Sequence, residues 1–456
     1  MKDDLVSIAR ASLVAVDPRA LVSRCLKLEG DVLRVRAGGV SRGVSGDVSR
    51  DVFCDYDLST FSRVLVLGLG KAAAAMAQAV EDVLGSRITA GLIAVKPGHE
   101  AALGHIRQVP GGHPIPDESS VRAAALLAEL ADTADESTLV ITVISGGGSS
   151  LVSAPGRESS LTLADIQETT RVLLACGAEI AEINCIRKHL LLLAGGRLAQ
   201  RIAPGTCIAL ILSDVVGDDL QTIASGPTSA DATTYQQALS IIESSGTAHA
   251  LPKPVVEHLR LGAAGGFPET PKPGSSEISR CLNVLAGTNM AALQAAAVEA
   301  ARLGYNPLIL TTRLAGEARE AARSLAAVAA HVAAGGLCPR PACVLAGGET
   351  TVTVRGRGKG GRNQEVAASF LREMEKEPAL FSGVSFLSFS TDGEDGPTDA
   401  AGGFALPAML EAARSARVRV ALQENDTYRL LSNLDGLFRT GPTGTNVCDV
   451  QVMLVV

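Results

Sequence analysis

The sequence predicts an α/β protein of two domains, with parallel or mixed sheets flanked by helices. Three observations carry this expectation. Short β-branched runs recur at residues 64–67, 139–144, 207–212, 282–286, 342–346 and 384–389, each followed by a turn and then an Ala/Leu-rich helical stretch. Near-continuous apolar runs of this kind suit parallel strands covered on both faces. A chain of 456 residues exceeds one ordinary core. A Pro/Gly-rich stretch over residues 251–279 is the strongest punctuation, with Pro252, Pro254, Pro268, Pro271 and Pro273 among Gly262, Gly265 and Gly266. It sets the expected domains at 1–260 and 275–456.

Composition narrows the function classes. With 46% hydrophobic and 20% charged residues, the chain is a globular protein and not a disordered one. Aromatics supply 3% and Trp is absent, so aliphatic side chains fill the cores and stacking platforms for single-stranded nucleic acid are scarce. A formal net charge of −7 argues against a nucleic-acid partner, which demands a basic face. Small anions stay open, because they require only a local basic pocket. The nine cysteines form no CxxC pair and the seven histidines fall at no metal-ligand spacing, which predicts reduced, mostly buried thiols. No apolar run reaches membrane-spanning length. The start Met1-Lys2-Asp3-Asp4 lacks the order of a secretory signal, and Leu5, Ile8, Ala9 and Leu13 fit one helix face. The expected location is the cytoplasm.

In an open parallel sheet, ligands collect beyond the carboxyl ends of strands, where helix N-termini favour phosphate and carboxylate. The first loop there is Gly68-Leu69-Gly70-Lys71-Ala72-Ala73, whose Gly68, Gly70 and Ala73 satisfy a dinucleotide fingerprint. An NAD(P)H-dependent reductase is therefore one reading. That fingerprint also wants an acid closing the second strand, here residues 88–95, and Lys96 follows instead. NAD loses ground and a phosphate-holding loop gains. Lys71 aims a point charge at an anion, or is a solvated first-turn lysine. The second loop, Ser145-Gly146-Gly147-Gly148-Ser149, allows close backbone approach to a ligand, and no Walker A lysine accompanies it. The third holds Asp214, placed to bind Mg²⁺ or accept a proton, ahead of Asp218 and Asp219 as caps.

The second half offers Gly347-Gly348-Glu349, then a strand expected at 351–354. The basic run Arg355, Arg357, Lys359 and Arg362 follows, opening a helix. Arg362 is the candidate fork for a carboxylate or a transferring phosphoryl group, while the other three fit a mobile, solvated loop equally well. The acidic loop Asp392-Gly393-Glu394-Asp395 through Asp399 reads as a Mg²⁺ site near a nucleotide or as a solvated loop. Asn446, before the terminal strand, adds a polar group at a similar position.

Taken in order, these segments resemble the class II glycerate 2-kinases, whose C-terminal half is the MOFRL domain. The resemblance also takes in Gly112-His113-Pro114-Ile115-Pro116-Asp117, Asn184-Cys185-Ile186-Arg187-Lys188-His189 and Ser225-Gly226-Pro227-Thr228. It implies a Rossmann-like N-terminal domain, an active site in the interdomain cleft, Mg²⁺ and ATP, and D-glycerate as the small-molecule partner. Lys71, Asp214, Glu349 and Arg362 take catalytic roles by that resemblance. Gly68, Gly70, Ser145, Gly146, Gly147, Gly148, Ser149 and Asn446 would hold the nucleotide, and Asp214, Glu349 and Asp392 the metal. A homo-oligomer is allowed; a nucleic acid or membrane partner is not expected. Members of this family have been labelled hydroxypyruvate reductases, so that alternative stands, with a sugar-phosphate-binding regulator as a third.

Overall fold

The computed structural model describes residues 1–37, 40–42, 52–157, 159–413 and 416–456. The first strands are β1 (Leu26–Glu29), β2 (Val32–Ala37), β3 (Val40–Arg42) and β4 (Val52–Asp57). Of these, β1, β2 and β4 make a small antiparallel sheet. The apolar runs then supply β5 (Arg63–Leu69), β6 (Ala90–Val95), β7 (Ile106–Pro110), β8 (Thr138–Ile144), β9 (Thr206–Leu212) and β10 (Cys281–Gly287). With β3 they form a seven-stranded sheet in the order β3-β10-β9-β8-β5-β6-β7. The pairs among β5 to β9 are parallel, and β3 runs antiparallel to β10. Strand β8 is buried at every position, Thr138 and Thr142 included, which is why it reads as a near-continuous apolar run. From β5 the chain walks out through β6 and β7 and returns on the other side of β5 as β8. That reversal is a topological switch point, the place where such sheets bind ligands.

A second, six-stranded sheet comprises β11 (Asn306–Leu314), β12 (Ala342–Gly348), β13 (Val384–Ser390), β14 (Gly402–Ala405), β15 (Leu437–Phe438) and β16 (Asp449–Val455), in the order β11-β12-β16-β13-β14-β15. Only the β11–β12 pair is parallel. Asp449 opens β16 opposite Gly348 on one side and Ser390 on the other. The ends of β12 and β13 and the start of β16 therefore share one edge. Helix Arg362–Lys376 packs on β13 and β14.

The chain divides into two compact units: Pro18–Ser213 with Asp218–Ala286, and Met1–Asp17 with Asp214–Gly217 and Gly287–Val456. This differs from the expected domains, 1–260 and 275–456, in three places, one of them the short Asp214–Gly217 segment. The Pro-rich stretch stays with the first unit, because Pro252 and Pro254 start helix Lys253–Ala263 and do not form a linker. Its Val255, Val256 and Leu259 are buried in a side core with Tyr235 and Ile242. Helix Lys2–Ala15 joins the second unit, where the Tyr305 hydroxyl donates to Asp4 at 2.8 Å.

The strand expected at 351–354 is reduced to a single bridge between Thr351 and Glu317. Side chains take its backbone donors: Glu317 accepts from the Thr353 N–H at 3.2 Å, and Asn425 Oδ1 from Arg355 and Gly356 at 2.8 and 3.0 Å. All nine cysteines are free and most are buried. Among the described residues, no helix is long and apolar enough to cross a membrane.

Candidate active site

The switch point brings the first two Gly-rich loops together. The Lys71 N–H donates to the Gly146 carbonyl at 3.0 Å, the Ala72 N–H to Ser145 Oγ at 3.0 Å, and the Ser145 N–H to the Leu69 carbonyl at 3.0 Å. Gly70 holds φ +124°, and a Cβ there would drive into the Ser145 backbone and hydroxyl. Only glycine fits. Gly68 has a different role. It lies within β5 with its α-carbon against the side chains of Val143 and Ile93, so it serves packing between strands and not ligand approach. Ser145 is buried and spent on lacing the loops.

What faces outward is cationic. A Cβ on Gly147 (φ +78°) would stand 3.3 Å from Lys71 Cγ and 3.0 Å from the His113 ring. The His113 pKa is lowered to about 4, by burial first and then by the charges of Lys71, Lys96 and His99. Two lysines around a neutral histidine and a glycine-lined backbone make an anion-receiving surface. Behind it, Ser149 Oγ contacts Ser225 Oγ at 2.8 Å, and Ser225 donates to Asn184 Oδ1 at 3.1 Å. Ala224 and Ser225 hold φ of +51° and +59°, left-handed backbone that non-glycine residues adopt at a cost of roughly 1–3 kcal/mol each.

The second unit supplies acids and one guanidinium. Arg362, the first residue of its helix, donates from Nε and Nη2 to the two oxygens of Asp449 at 2.6 and 2.8 Å. Its Nη1 lies 2.8 Å from Glu349 Oε1. The fork expected to grip a ligand is thus occupied by Asp449, which is wholly buried. Burial raises the Glu349 pKa; Arg362 lowers it, and Asp449, Asp214 and Asp392 raise it further. Asp214 follows β9 directly yet groups with this unit, and it also raises the Cys448 thiol, after burial and together with Glu349 and Asp449.

The acidic loop is tied together by local hydrogen bonds. Asp392 accepts from Ser390 Oγ at 2.6 Å and from the Glu394 N–H at 3.0 Å. Asp395 caps helix Arg362–Lys376 through the N–H groups of Asn363 and Gln364 at 3.0 and 2.8 Å, and burial raises its pKa to about 6. Asp399 bonds Tyr428 and Arg439. Asn446 accepts the Cys448 N–H at 3.0 Å. Among the described residues, no group of three or more His, Cys, Asp or Glu forms a closed metal site. The donors nonetheless suit a hard cation that keeps its waters, because Mg²⁺ is commonly held by one or two carboxylates and substrate phosphates. Asp449, Asp214 and Asp392 add negative charge around Glu349, which such an ion would relieve.

Sequence reasoning left three residues here without a role. Asp449 was visible as a carboxylate opening a strand that is apolar apart from Gln451, but its guanidinium partner is far away in the chain. His113 and Lys96 lay in matched or inspected segments, and only the sheet topology brings them beside Lys71.

Comparison with known proteins agrees with this architecture. Residues 4–260 match the family described as "Domain of unknown function (DUF4147)", and residues 342–449 match the MOFRL family. A glycerate 2-kinase of Pyrococcus horikoshii is 41% identical over 397 residues, covering 86% of this chain and 87% of that one. A crystal structure of glycerate kinase from Thermotoga maritima superposes with a TM-score of 0.83 at 35% identity, over 100% of this chain and 99% of that one. A relative in Agrobacterium vitis, 39% identical over 398 residues and covering 86% of this chain and 87% of that one, carries hydroxypyruvate reductase as a provisional name. The chain belongs to the MOFRL-domain glycerate 2-kinase family.

Proposed function

We propose that this chain transfers the γ-phosphoryl group of ATP to the 2-hydroxyl of D-glycerate, giving 2-phosphoglycerate and ADP. The observation that carries the reading is the likeness, over most of both chains, to the glycerate 2-kinase of Pyrococcus horikoshii. The chemistry of the two units supports it. Phosphoryl transfer asks chiefly for positioning and charge neutralisation, and the first unit offers a cationic, glycine-lined surface at Lys71, Lys96 and Gly147. The second offers carboxylates. A bound Mg²⁺, held by Asp214 and Glu349 with Asp392 nearby, would supply neutralisation of the phosphate charge. Lys71 binds phosphate or carboxylate oxygens. Asp214 or Glu349 accepts the proton of the 2-hydroxyl, and Arg362 fixes Glu349 in place.

The reductase reading lacks its ribose-binding acid, since β6 ends at Val95 and Lys96 follows. Incubating the chain with ATP, Mg²⁺ and D-glycerate, then identifying the phosphoglycerate isomer, tests the proposal. NAD(P)H oxidation with hydroxypyruvate, together with no ADP from glycerate, would overturn it.

A further inference from the structure

A cavity of about 540 Å³ lies in the first unit, away from the Gly-rich loops. It is lined by Asp132, just after helix Glu118–Ala131, and by Ala203, ahead of β9. These connections feed the amino-terminal ends of β8 and β9, whereas Lys71 and Ser149 follow the carboxyl ends of β5 and β8. The two places occupy opposite edges of the sheet.

Three arginines line the cavity, Arg157, Arg197 and Arg201. Among its described lining residues, Asp132 is the one carboxylate, bonded by Arg201 at 2.8 Å and by Arg157 at 3.2 Å. Among the described lining residues, three guanidinium charges face one carboxylate, an excess of two. Outside the lining, Glu269 contacts His189 at 3.2 Å and is itself paired with Lys272 at 3.0 Å. Arg197 reaches the Tyr235 hydroxyl at 3.4 Å, and its buried Nε has no hydrogen-bond partner. A buried donor left without an acceptor costs free energy. His189 and His258 also line the space, but burial lowers both pKa values, so they stay neutral near pH 7 and add no charge. Phe267, stacked on His258 at 4.5 Å, and Pro268 supply an apolar wall.

We propose that this cavity binds a small organic phosphate. A phosphomonoester carries about −1.5 to −2 at neutral pH and three acceptor oxygens, which suits the guanidinium excess among the described lining residues. Arginine forks engage such oxygens at two points. The organic part rests on Phe267 and Pro268. The volume falls in the range of small-molecule sites. Nothing in this inference depends on which reaction the Gly-rich loops serve.

Calorimetric titration of the full chain with phenyl phosphate, and with benzoate as a monoanion control, tests it. Saturable phenyl phosphate binding is expected, with benzoate about tenfold weaker or worse. Binding should persist in Lys71→Ala, weaken about tenfold in Arg157→Glu and tighten in Asp132→Asn. The Arg157 side chain is 55% exposed, so its reversal leaves the fold intact, which circular dichroism checks. Turnover of glycerate should be unchanged in Arg157→Glu. Absence of phenyl phosphate binding overturns the proposal. So does binding that disappears in Lys71→Ala and ignores Arg157→Glu, since the probe would then sit at the Gly-rich loops.

Discussion

Arg362 and Asp449 form a two-point ion pair, Nε to Oδ2 at 2.6 Å and Nη2 to Oδ1 at 2.8 Å, at the edge where helix Arg362–Lys376 meets the start of β16. Asp449 is fully buried, so this guanidinium is what makes its charge tolerable. Because Nη1 also contacts Glu349, Arg362 orients an acid that the proposed chemistry uses.

Replacing Arg362 therefore carries two costs. Arg362→Lys keeps the charge but loses the fork. It should lower both kcat/KM and thermal stability, and Arg362→Ala should cost roughly 3–5 kcal/mol by stranding a buried carboxylate. Denaturant unfolding alongside steady-state kinetics reads both. A fully stable, inactive Arg362→Lys variant would mean that the fork serves the ligand and not Asp449.

Lys71 sits on the loop that defines the switch point, half-exposed beside His113. Lys71→Ala should reduce kcat by roughly 10²-fold, as for loss of one preorganised electrostatic group, with little change in melting temperature. Near-normal kcat would return Lys71 to a solvated surface residue.

Gly70 is a structural requirement of the same loop. Gly70→Ala places a Cβ on the Ser145 backbone at φ +124°, and the backbone strain alone should cost roughly 1–3 kcal/mol. A melting temperature equal to that of the unmodified chain would show that the two loops can separate freely.

The acid cluster predicts a cation requirement. Chelating Mg²⁺ should abolish transfer, and Asp214→Asn should raise the Mg²⁺ concentration for half-maximal rate by about tenfold or more, as expected when a direct carboxylate ligand is lost. An unchanged Mg²⁺ dependence in Asp214→Asn would remove that residue from the metal.

His113 gives a pH signature. Its pKa is about 4 in the folded chain against an ordinary 6.5. As pH falls from 6.5 towards 4, the unfolded chain binds a proton that the folded chain does not, so stability from this group is present above 6.5 and lost on acidification. His113→Gln should flatten the stability profile in that window. In the unmodified chain, a phosphate-bearing ligand beside Lys71 should raise the His113 pKa, which imidazole chemical shifts follow directly. No shift on adding MgATP would place the phosphates elsewhere.

The apolar runs alone located the buried strands β5, β8, β9, β10, β12 and β13. Runs such as 139–144, with Thr142 its one polar residue, and 207–212 are near-continuously apolar, and burial on both faces of a parallel sheet demands that pattern. The sequence also determined which loops carry glycine, because the left-handed backbone at Gly70 and Gly147 excludes other residues. The ordered series of those loops was enough to point to the family. Tertiary structure alone decided what each charged group meets. Arg362 read as an open fork, and Asp395 as one member of an acidic loop that was either a Mg²⁺ site or solvated. The first is held by Asp449 from a strand far along the chain, and the second caps a helix. The Pro-rich stretch read as a linker because proline ends helices, yet Pro252 and Pro254 begin one whose apolar face is buried. Backbone preference and burial are local or periodic, so they are written along the chain. Charge pairing depends on distance in space, and only the fold sets that.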